Sequence, residues 1–356
     1  MEQKSVLIGM SGGVDSSVAA ALLKEQGYHV IGATMRLWTY SDRCNMKHEG
    51  CCAESAVEDA RRVCDKLGID FYVMNFKDMF KDKVVDYFVD EYIHGRTPNP
   101  CIACNKYLKF DALLKKALAM GIDYVATGHY AKIEKGEDGK YILRASEAVK
   151  KDQSYVLYNF TQEQLAHTLM PLGGYNKDWV RQKAEELGLG VAHKPDSQEI
   201  CFVEDDDYAK FITDYSGYKP KEGDILDVNG NVIGKHRGLI YYTIGQRKGI
   251  GAYGRPMFVM KIDAENNTIT LGEKGMEFSN ELTAYDVNFV SGEFPKENML
   301  ITAKVRYQAP PAAAMLCPQK DGTVKLMFPE PQRAVTPGQA VVFYDGDIVL
   351  GGGTVL

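Results

Sequence analysis

The sequence predicts an α/β protein: a parallel sheet covered by helices, then a small α+β segment, then a β-barrel. Three observations carry this. Short apolar runs alternate with helical periodicities through roughly the first 200 residues. The first of these runs leads straight into a glycine-rich turn, "GMSGGVDSS". From about residue 283 only short strands remain, separated by Gly, Pro and Asp turns, which is the pattern of a small barrel.

The elements follow in order. "SVLIGM" (5–10) reads as a buried strand, and Val14, Val18, Ala21 and Leu22 recur after it at helical spacing. "YHVIGATM" is a second strand, and "AESAVEDARRVCDKLGI" is a helix whose apolar face carries Ala56, Val57, Ala60, Val63, Cys64 and Leu67. "FYVMNF" and "DYVATGH" are further strands; "KDKVVDYFVDEYIHG" and "KYLKFDALLKKALAMG" are helices. "AKIEKGEDGKYILRA" is a hairpin turning at Asp-Gly. The pattern changes near residue 204, where "EDDDYAKFITDY" reads as one helix, followed by the hairpins "GDILDVNGNVIG" and "MFVMKIDAENNTITLG". The expected division is 1–203 for a catalytic domain, 204–282 for a central linker domain and 283–356 for the C-terminal barrel.

With 356 residues there is ample material for a core, and 45% hydrophobic and 25% charged residues are ordinary values. A formal charge of −6 does not advertise nucleic-acid binding, but a local basic face suffices for it. No apolar run has the length of a membrane span, and "MEQKSVLIGMSGG" lacks a signal-peptide pattern, so the expected location is cytoplasmic, without membrane contact. In a reducing compartment, eight cysteines argue for metal or catalytic roles over structural disulfides.

The glycine loop lies between a strand and a helix. Gly12 and Gly13 permit close backbone approach to an anion, which the helix N-terminus attracts. Ser11, Ser16 and Ser17 add hydroxyls, and Asp15 suits Mg²⁺ bridging phosphates. No Lys follows the glycines, so this is not a Walker A loop. A bare Gly-Gly would more often pack a helix on a sheet; the string S-G-G-x-D-S is more specific. It resembles the PP-loop of the N-type ATP pyrophosphatases, which cleave ATP to pyrophosphate and transfer AMP. Those proteins share an adenine nucleotide α-hydrolase-like sheet, with the ligand at its carboxyl edge.

Cys64 and Cys317 read as small buried hydrophobes. Cys44, Cys51 and Cys52, with His48 nearby, match no zinc spacing. Cys101 and Cys104 form a C-x-x-C pair in "RTPNPCIACNKYLKF". Pro98 and Pro100 oppose helix before Cys101, so the helix is expected to begin near Asn105. That places Cys104 beside a helix N-terminus, which lowers a thiol pKa. Lys106 and Lys109 then fall in the first turn, as cations would if an anion binds there. Cys201 stands in the polar run "KPDSQEICFV", within reach of substrate.

Together "GMSGGVDSS", "GRTPNPC-x-x-CNK-x-x-KF", "ATGHYA", "KDQSY-x-LY", "DS-x-x-ICF", "YTIGQRKG" and "AVTPGQAVVFY…LGGG" resemble the bacterial tRNA 2-thiouridylases, the MnmA family, nearly end to end. The resemblance implies adenylation of C2–O of the wobble uridine in tRNAs for Lys, Glu and Gln, followed by sulfur transfer. It implies Cys104 as nucleophile and Cys201 as persulfide carrier, with a disulfide between them as sulfur is released. By the same resemblance ATP, with Mg²⁺, meets Gly9, Met10, Ser11, Gly12, Gly13, Val14, Asp15, Ser16, Met35 and Gly128. The tRNA meets Asn99, Pro100, Cys101, His129, Lys151, Asp152, Gln153, Arg306, Tyr307 and Gln339. The protein partner implied is a sulfur-relay protein or cysteine desulfurase. Many members carry Asp where this chain has Cys101. An alternative therefore stays open, in which Cys101, Cys104 and Cys201 hold a [4Fe–4S] cluster. Two rival functions also stand beside this one. A PP-loop ligase or amidotransferase acting on a small molecule would need neither "RTPNPCIAC" nor a barrel. A non-catalytic RNA-binding protein with structural zinc would want a fourth ligand.

Overall fold

The computed structural model describes residues 3–38, 54–195, 200–203 and 206–356. Cys44, His48, Cys51 and Cys52 lie outside the described residues.

Five strands form the first sheet: β1 (Ser5–Gly9), β2 (His29–Arg36), β3 (Asp70–Asn75), β4 (Tyr124–Ala126) and the two-residue β7 (Thr168–Leu169). Their order is β3-β2-β1-β4-β7, and every pairing is parallel. All carboxyl ends therefore share one edge. Side-chain alternation along β1 sends Val6 and Ile8 into one core and Leu7 into another, so both faces are covered. Helices α1 (Val14–Glu25) and α2 (Glu54–Leu67) pack on the first face. The second face takes two long helices, 77–93 and 100–119.

Both long helices carry a run wound as π-helix, Lys81–Asp86 in one and Cys104–Ala112 in the other. Such i→i+5 winding is rare and gathers at functional sites. The second run starts at Cys104.

The hairpin β5 (Ala131–Lys135) and β6 (Tyr141–Ala145) turns through Gly139 at φ +83°, as Asp-Gly predicts. The central segment has a helix, Tyr208–Ser216, capped by Asp207, whose carboxylate accepts from Lys210 N–H at 2.9 Å. Its four strands are β8 (Gly223–Leu226), β9 (Val232–His236), β10 (Met257–Asp263) and β11 (Thr268–Glu273), in the order β10-β11-β8-β9. The two expected hairpins are joined by a parallel β11–β8 pairing.

The C-terminal strands are β12 (Phe278–Phe289), β13 (Met299–Lys304), β14 (Ala312–Pro318), β15 (Val324–Arg333), β16 (Ala340–Asp345) and β17 (Ile348–Val355). They run β12-β15-β14-β13-β16-β17, and β17 pairs back on β12, which closes a barrel. A core of Leu282, Ile301, Leu316, Leu326 and Phe343 fills it. The β5–β6 hairpin extends this sheet through the β17–β6 contact, Ile348 against Arg144.

Candidate active site

At the carboxyl edge β1 gives way to the glycine loop and α1. Gly13 caps α1 in an extended conformation and, lacking a side chain, brings no cap of its own to the first-turn N–H groups, which suits an anion at that end. Gly12 has φ +68°, and a side-chain carbon there would lie 2.2 Å from the Ala56 carbonyl oxygen. One on Gly128 would lie 2.7 Å from Ser16 N, so the "ATGHY" loop presses directly on the start of α1. Ser11 N–H donates to Ser16 Oγ at 3.2 Å, and Ser17 Oγ donates to the Gly13 carbonyl at 2.8 Å. Ser11, Gly13 and Asp15 reach the surface of the loop and Gly9 and Met35 border it, whereas Met10 and Val14 point into the core.

Asp15 is engaged by two groups the sequence did not single out. Lys177 Nζ lies 2.7 and 2.8 Å from its carboxylate oxygens, and the Tyr130 hydroxyl donates to it at 2.7 Å. A second lysine, Lys194, donates to the Gly12 carbonyl at 3.1 Å and to Asp59 at 2.9 Å, tying the loop to α2.

The cysteine helix starts earlier than expected. Asn99 is its N-cap, with Oδ1 accepting from Cys101 N–H at 3.1 Å and Ile102 N–H at 3.3 Å, and Pro100 is its first residue. Proline at that position has no lost donor and a fitting φ, so "NPC" opens a helix. This corrects three expectations. Cys101, not Cys104, occupies the first turn. Cys104 is buried, 8% exposed, at the start of the π run. Lys106 lies beyond the first turn and pairs with Asp286 of the barrel at 2.8 Å. Cys101 keeps solvent contact in a protein-dense recess; burial pushes its thiol up, and Lys109 opposes that without reversing it. Cys201 is exposed, while the adjacent Phe202 packs with Phe80 and Phe88 in the core that also holds Cys104. Cys101 and Cys201 are free thiols, and the described residues hold no group of three His, Cys, Asp or Glu able to bind a metal. Cys64 is inert as expected, its thiol pushed up to about 12 by burial.

Lys109 and Tyr307 interact electrostatically with Cys101; Lys109 also acts on His129, and Asp152 on Tyr307. Burial first, then Lys109, holds the His129 imidazole well below its ordinary pKa. Thr127 Oγ1 bonds its Nδ1 at 2.7 Å, and Phe110 packs 5.8 Å from its ring. The Tyr307 hydroxyl donates to the Asp152 carbonyl at 3.1 Å, joining the barrel to the N-terminal domain. Lys304, also missed by the sequence reading, lies 5.8 and 5.7 Å from the Tyr155 and Tyr307 rings; burial lowers its pKa and Asp152 opposes.

Several expected RNA contacts also hold the protein together. The Asp152 carboxylate accepts from Ser146 N–H, Ser154 N–H and Ser154 Oγ, and Gln153 Oε1 accepts from Tyr130 N–H at 3.0 Å. Gln339 Nε2 donates to the Thr97 carbonyl at 2.9 Å, fastening the barrel to the "RTPNP" loop. One terminal nitrogen of Arg306 donates to the carbonyls of Ile244 at 3.0 Å and Ala334 at 2.6 Å, and also to Thr336 Oγ1. Lys151 is partly buried beside Asp152.

Family models match three successive parts of the chain. One described as tRNA methyl transferase HUP domain covers residues 4–205, a PRC-barrel domain of the same name covers 209–273, and an aminomethyltransferase β-barrel domain covers 279–355. The chain is 59% identical to the tRNA-specific 2-thiouridylase MnmA of Acetivibrio thermocellus, over 100% of both chains. The chain belongs to the tRNA-specific 2-thiouridylase family. It is also 58% identical to the Clostridioides difficile member, covering 99% of this chain and 98% of that one. The Clostridium botulinum (strain Alaska E43) member is 57% identical, over 100% and 98%. The model descriptions speak of methyl transfer and the relatives' names of thiolation. The relatives align through the cysteine loop and the barrel together, so their name describes the whole architecture. No helix among the described residues is long and apolar enough to cross a membrane.

Proposed function

We propose that the protein installs sulfur at C2 of the wobble uridine of tRNA, at the expense of ATP. The observation that carries this is the end-to-end match at 59% identity to a tRNA-specific 2-thiouridylase. A small-molecule PP-loop ligase gives no reason for the barrel to be locked onto the "RTPNP" loop through Gln339.

A uridine C2 carbonyl is a poor electrophile with a poor leaving group. Attack of its oxygen on the α-phosphorus of ATP expels pyrophosphate and converts that oxygen into part of AMP, which leaves readily. The N-terminus of α1, with Gly9 to Ser16, Met35 and Gly128, would hold ATP. Asp15 would hold the Mg²⁺ that neutralises its phosphates, in competition with Lys177. Asn99 to Cys101, His129, Lys151 to Gln153, Arg306, Tyr307 and Gln339 would face the RNA. Residues 1–203 would carry the chemistry, 204–282 the link between domains and 283–356 a tRNA-contacting platform.

For the sulfur step we take Cys201 as the persulfide carrier and Cys104 as the second thiol. The terminal sulfur of the Cys201 persulfide bonds to C2 and AMP departs with the former C2 oxygen. The Cys104 thiolate then attacks the remaining Cys201 sulfur, the S–S bond to the transferred sulfur breaks, and a Cys104–Cys201 disulfide remains. A thiol reductant resets the pair. Among the described residues Cys101, Cys104 and Cys201 do not form a three-ligand group, and this reading routes the sulfur through the two protein thiols. The acceptors would be tRNAs for Lys, Glu and Gln, the donor a sulfur-relay protein or cysteine desulfurase, and the location the cytoplasm.

The test is ATP-dependent formation of 2-thiouridine in a wobble-uridine tRNA transcript supplied with a persulfide donor, with pyrophosphate counted against sulfur. One pyrophosphate per thiouridine is expected. Pyrophosphate release without RNA, or RNA adenylation that never accepts sulfur, would overturn the assignment. Stoichiometric iron and acid-labile sulfide in anaerobically purified protein, with activity lost on their removal, would replace the persulfide route by the cluster.

A further inference from the structure

The 100–119 helix has a second face, away from Cys101 and Cys104, that borders open space. A cavity of about 320 Å³ opens between this helix, the 77–93 helix and the barrel. The helix contributes Ile102, Ala103, Lys106 and Tyr107 to its wall, whereas Cys101 and Cys104 are not among the lining residues. The cavity is thus distinct from the thiol recess, on the other side of a rod about 10–12 Å thick.

Its lining is not closed up as a packed seam would be. Protein interiors fill their space, and interface tyrosines ordinarily bury their rings against a neighbour. Here Tyr87, Tyr107, Tyr158 and Tyr285 converge from four separate segments and leave space between them. Burial, Glu91 and then the other three phenols raise the Tyr87 pKa and keep Tyr87 neutral. Four such rings offer flat apolar faces and O–H donors at once. Tyr107 and Tyr285 are 36% and 37% exposed, so a ligand reaches them from solvent. At the rim Lys106 lies 5.4 Å from the Tyr107 ring and 2.8 Å from Asp286, and Lys83 stands beside Asp82. The cavity thus combines an aromatic interior, hydrogen-bonding tips and lysines at the mouth.

Two contacts join it to the thiol side. Asn99 lines the cavity and also caps the helix that carries Cys101 and Cys104. Gly338 lines it too, next to Gln339, whose amide holds the "RTPNP" loop.

We propose that this cavity takes one unstacked nucleobase of the substrate RNA, a neighbour of the uridine that is thiolated. The inference rests on the tRNA reading above. Single-stranded bases are recognised by stacking on aromatic rings and by hydrogen bonds to their edges, and this lining supplies both. A flanking phosphate would meet Lys106 or Lys83 at the mouth. Seating the neighbour against Asn99 fixes the strand where it passes the helix start, which holds the target base on the Cys101 side. Tyr107 and Tyr285 are therefore specificity residues that touch RNA away from the reacting atoms.

The experiment uses the full chain and wobble-uridine tRNA transcripts carrying 2-aminopurine on the 5′ or the 3′ side of that uridine. The wild type is expected to change the fluorescence strongly at one of the two positions. Tyr107→Ala and Tyr285→Ala should abolish that change and raise Kd about tenfold, whereas Tyr107→Phe and Tyr285→Phe retain most of both. With the base at that position removed, wild type and alanine variants should bind equally weakly. No fluorescence change at either position overturns the inference. So does an alanine variant that weakens intact and abasic transcripts by the same factor. Loss of thiolation from a donor protein at unchanged tRNA Kd would also overturn it, and would assign the cavity to that donor. Thiolation of the unmodified transcript by wild type separates the two levels: without it the functional reading falls, and with it only the cavity assignment does.

Discussion

Cys104 and Cys201 differ in a way that suits two tasks. An exposed thiol can be loaded by another protein; a buried one is shielded from wasteful oxidation until the chain around it adjusts. Cys104→Ser and Cys201→Ser should each abolish 2-thiouridine formation while leaving ATP affinity within about twofold of wild type; thiolation surviving in either variant would sink the two-thiol route. Asp15 presents a different case. Its pair with Lys177 is partly buried and contributes on the order of 1 kcal/mol, so Asp15→Ala should leave the fold intact. What it should lose is pyrophosphate release, and a normal release rate would remove Asp15 from nucleotide binding. His129 makes its own prediction about pH. Its folded pKa is depressed, so below about pH 6.5 the unfolded chain binds a proton that the folded chain refuses. Stability should therefore fall with decreasing pH, by at most ~1.4 kcal/mol per unit for this one group, and be free of this penalty above pH 6.5. Melting temperature followed against pH should be flatter between pH 6.5 and 5 for His129→Asn; parallel curves would mean that His129 takes up its proton normally in the fold.

The decisive element is the 100–119 helix. Its start is set by Asn99 and Pro100, and its π winding begins at Cys104. Removing the cap through Asn99→Ala should cost about 1 kcal/mol. Because the same side chain starts the helix that carries Cys104, the rate of sulfur transfer should drop more than the melting temperature suggests; a loss of stability with an unchanged single-turnover rate would confine Asn99 to capping. The glycine loop was legible in advance, since Gly12 at φ +68° and the glycine cap of α1 are local backbone facts that a Gly-Gly string announces. The hairpin turns were legible for the same reason: Gly139 and Gly230 take the positive φ that Asp-Gly and Asn-Gly promise. The helix start was misplaced by about one turn because proline opposes helix before itself yet fits its first position. The π runs leave no local signature, because the choice between i→i+4 and i→i+5 bonding is made by what the helix packs against.

Across the whole molecule, the domains share one hydrophobic core, to which Phe211 and Ile240 of the central segment and Ala340, Val342 and Val349 of the barrel contribute, and polar side chains add to that coupling. Arg306 bridges the central segment at Ile244 and the barrel at Ala334 and Thr336, and its buried Nε has no hydrogen-bond partner among the described residues. Arg306→Met should therefore lower stability by about 1–3 kcal/mol through the carbonyls it abandons. If Arg306 served RNA phosphates alone, melting would be unchanged and only the salt dependence of tRNA affinity would weaken, by about one unit of slope. By itself the sequence determined the parallel sheet, the anion-receptive loop, the barrel and the cysteines worth testing. Each of these is written in short-range periodicity, in turn residues, or in side-chain chemistry at fixed spacing. Only the tertiary structure decided which long side chains reach which site. Lys177 came to Asp15, Lys194 to Gly12, Lys106 to Asp286 and Arg306 to three acceptors in two domains. It also set Cys104 in the interior and Cys101 at the surface, and opened the tyrosine cavity behind them. The physical reason is that such contacts join residues far apart along the chain. Their partners are chosen by closure of the sheet and barrel, which no local stretch encodes.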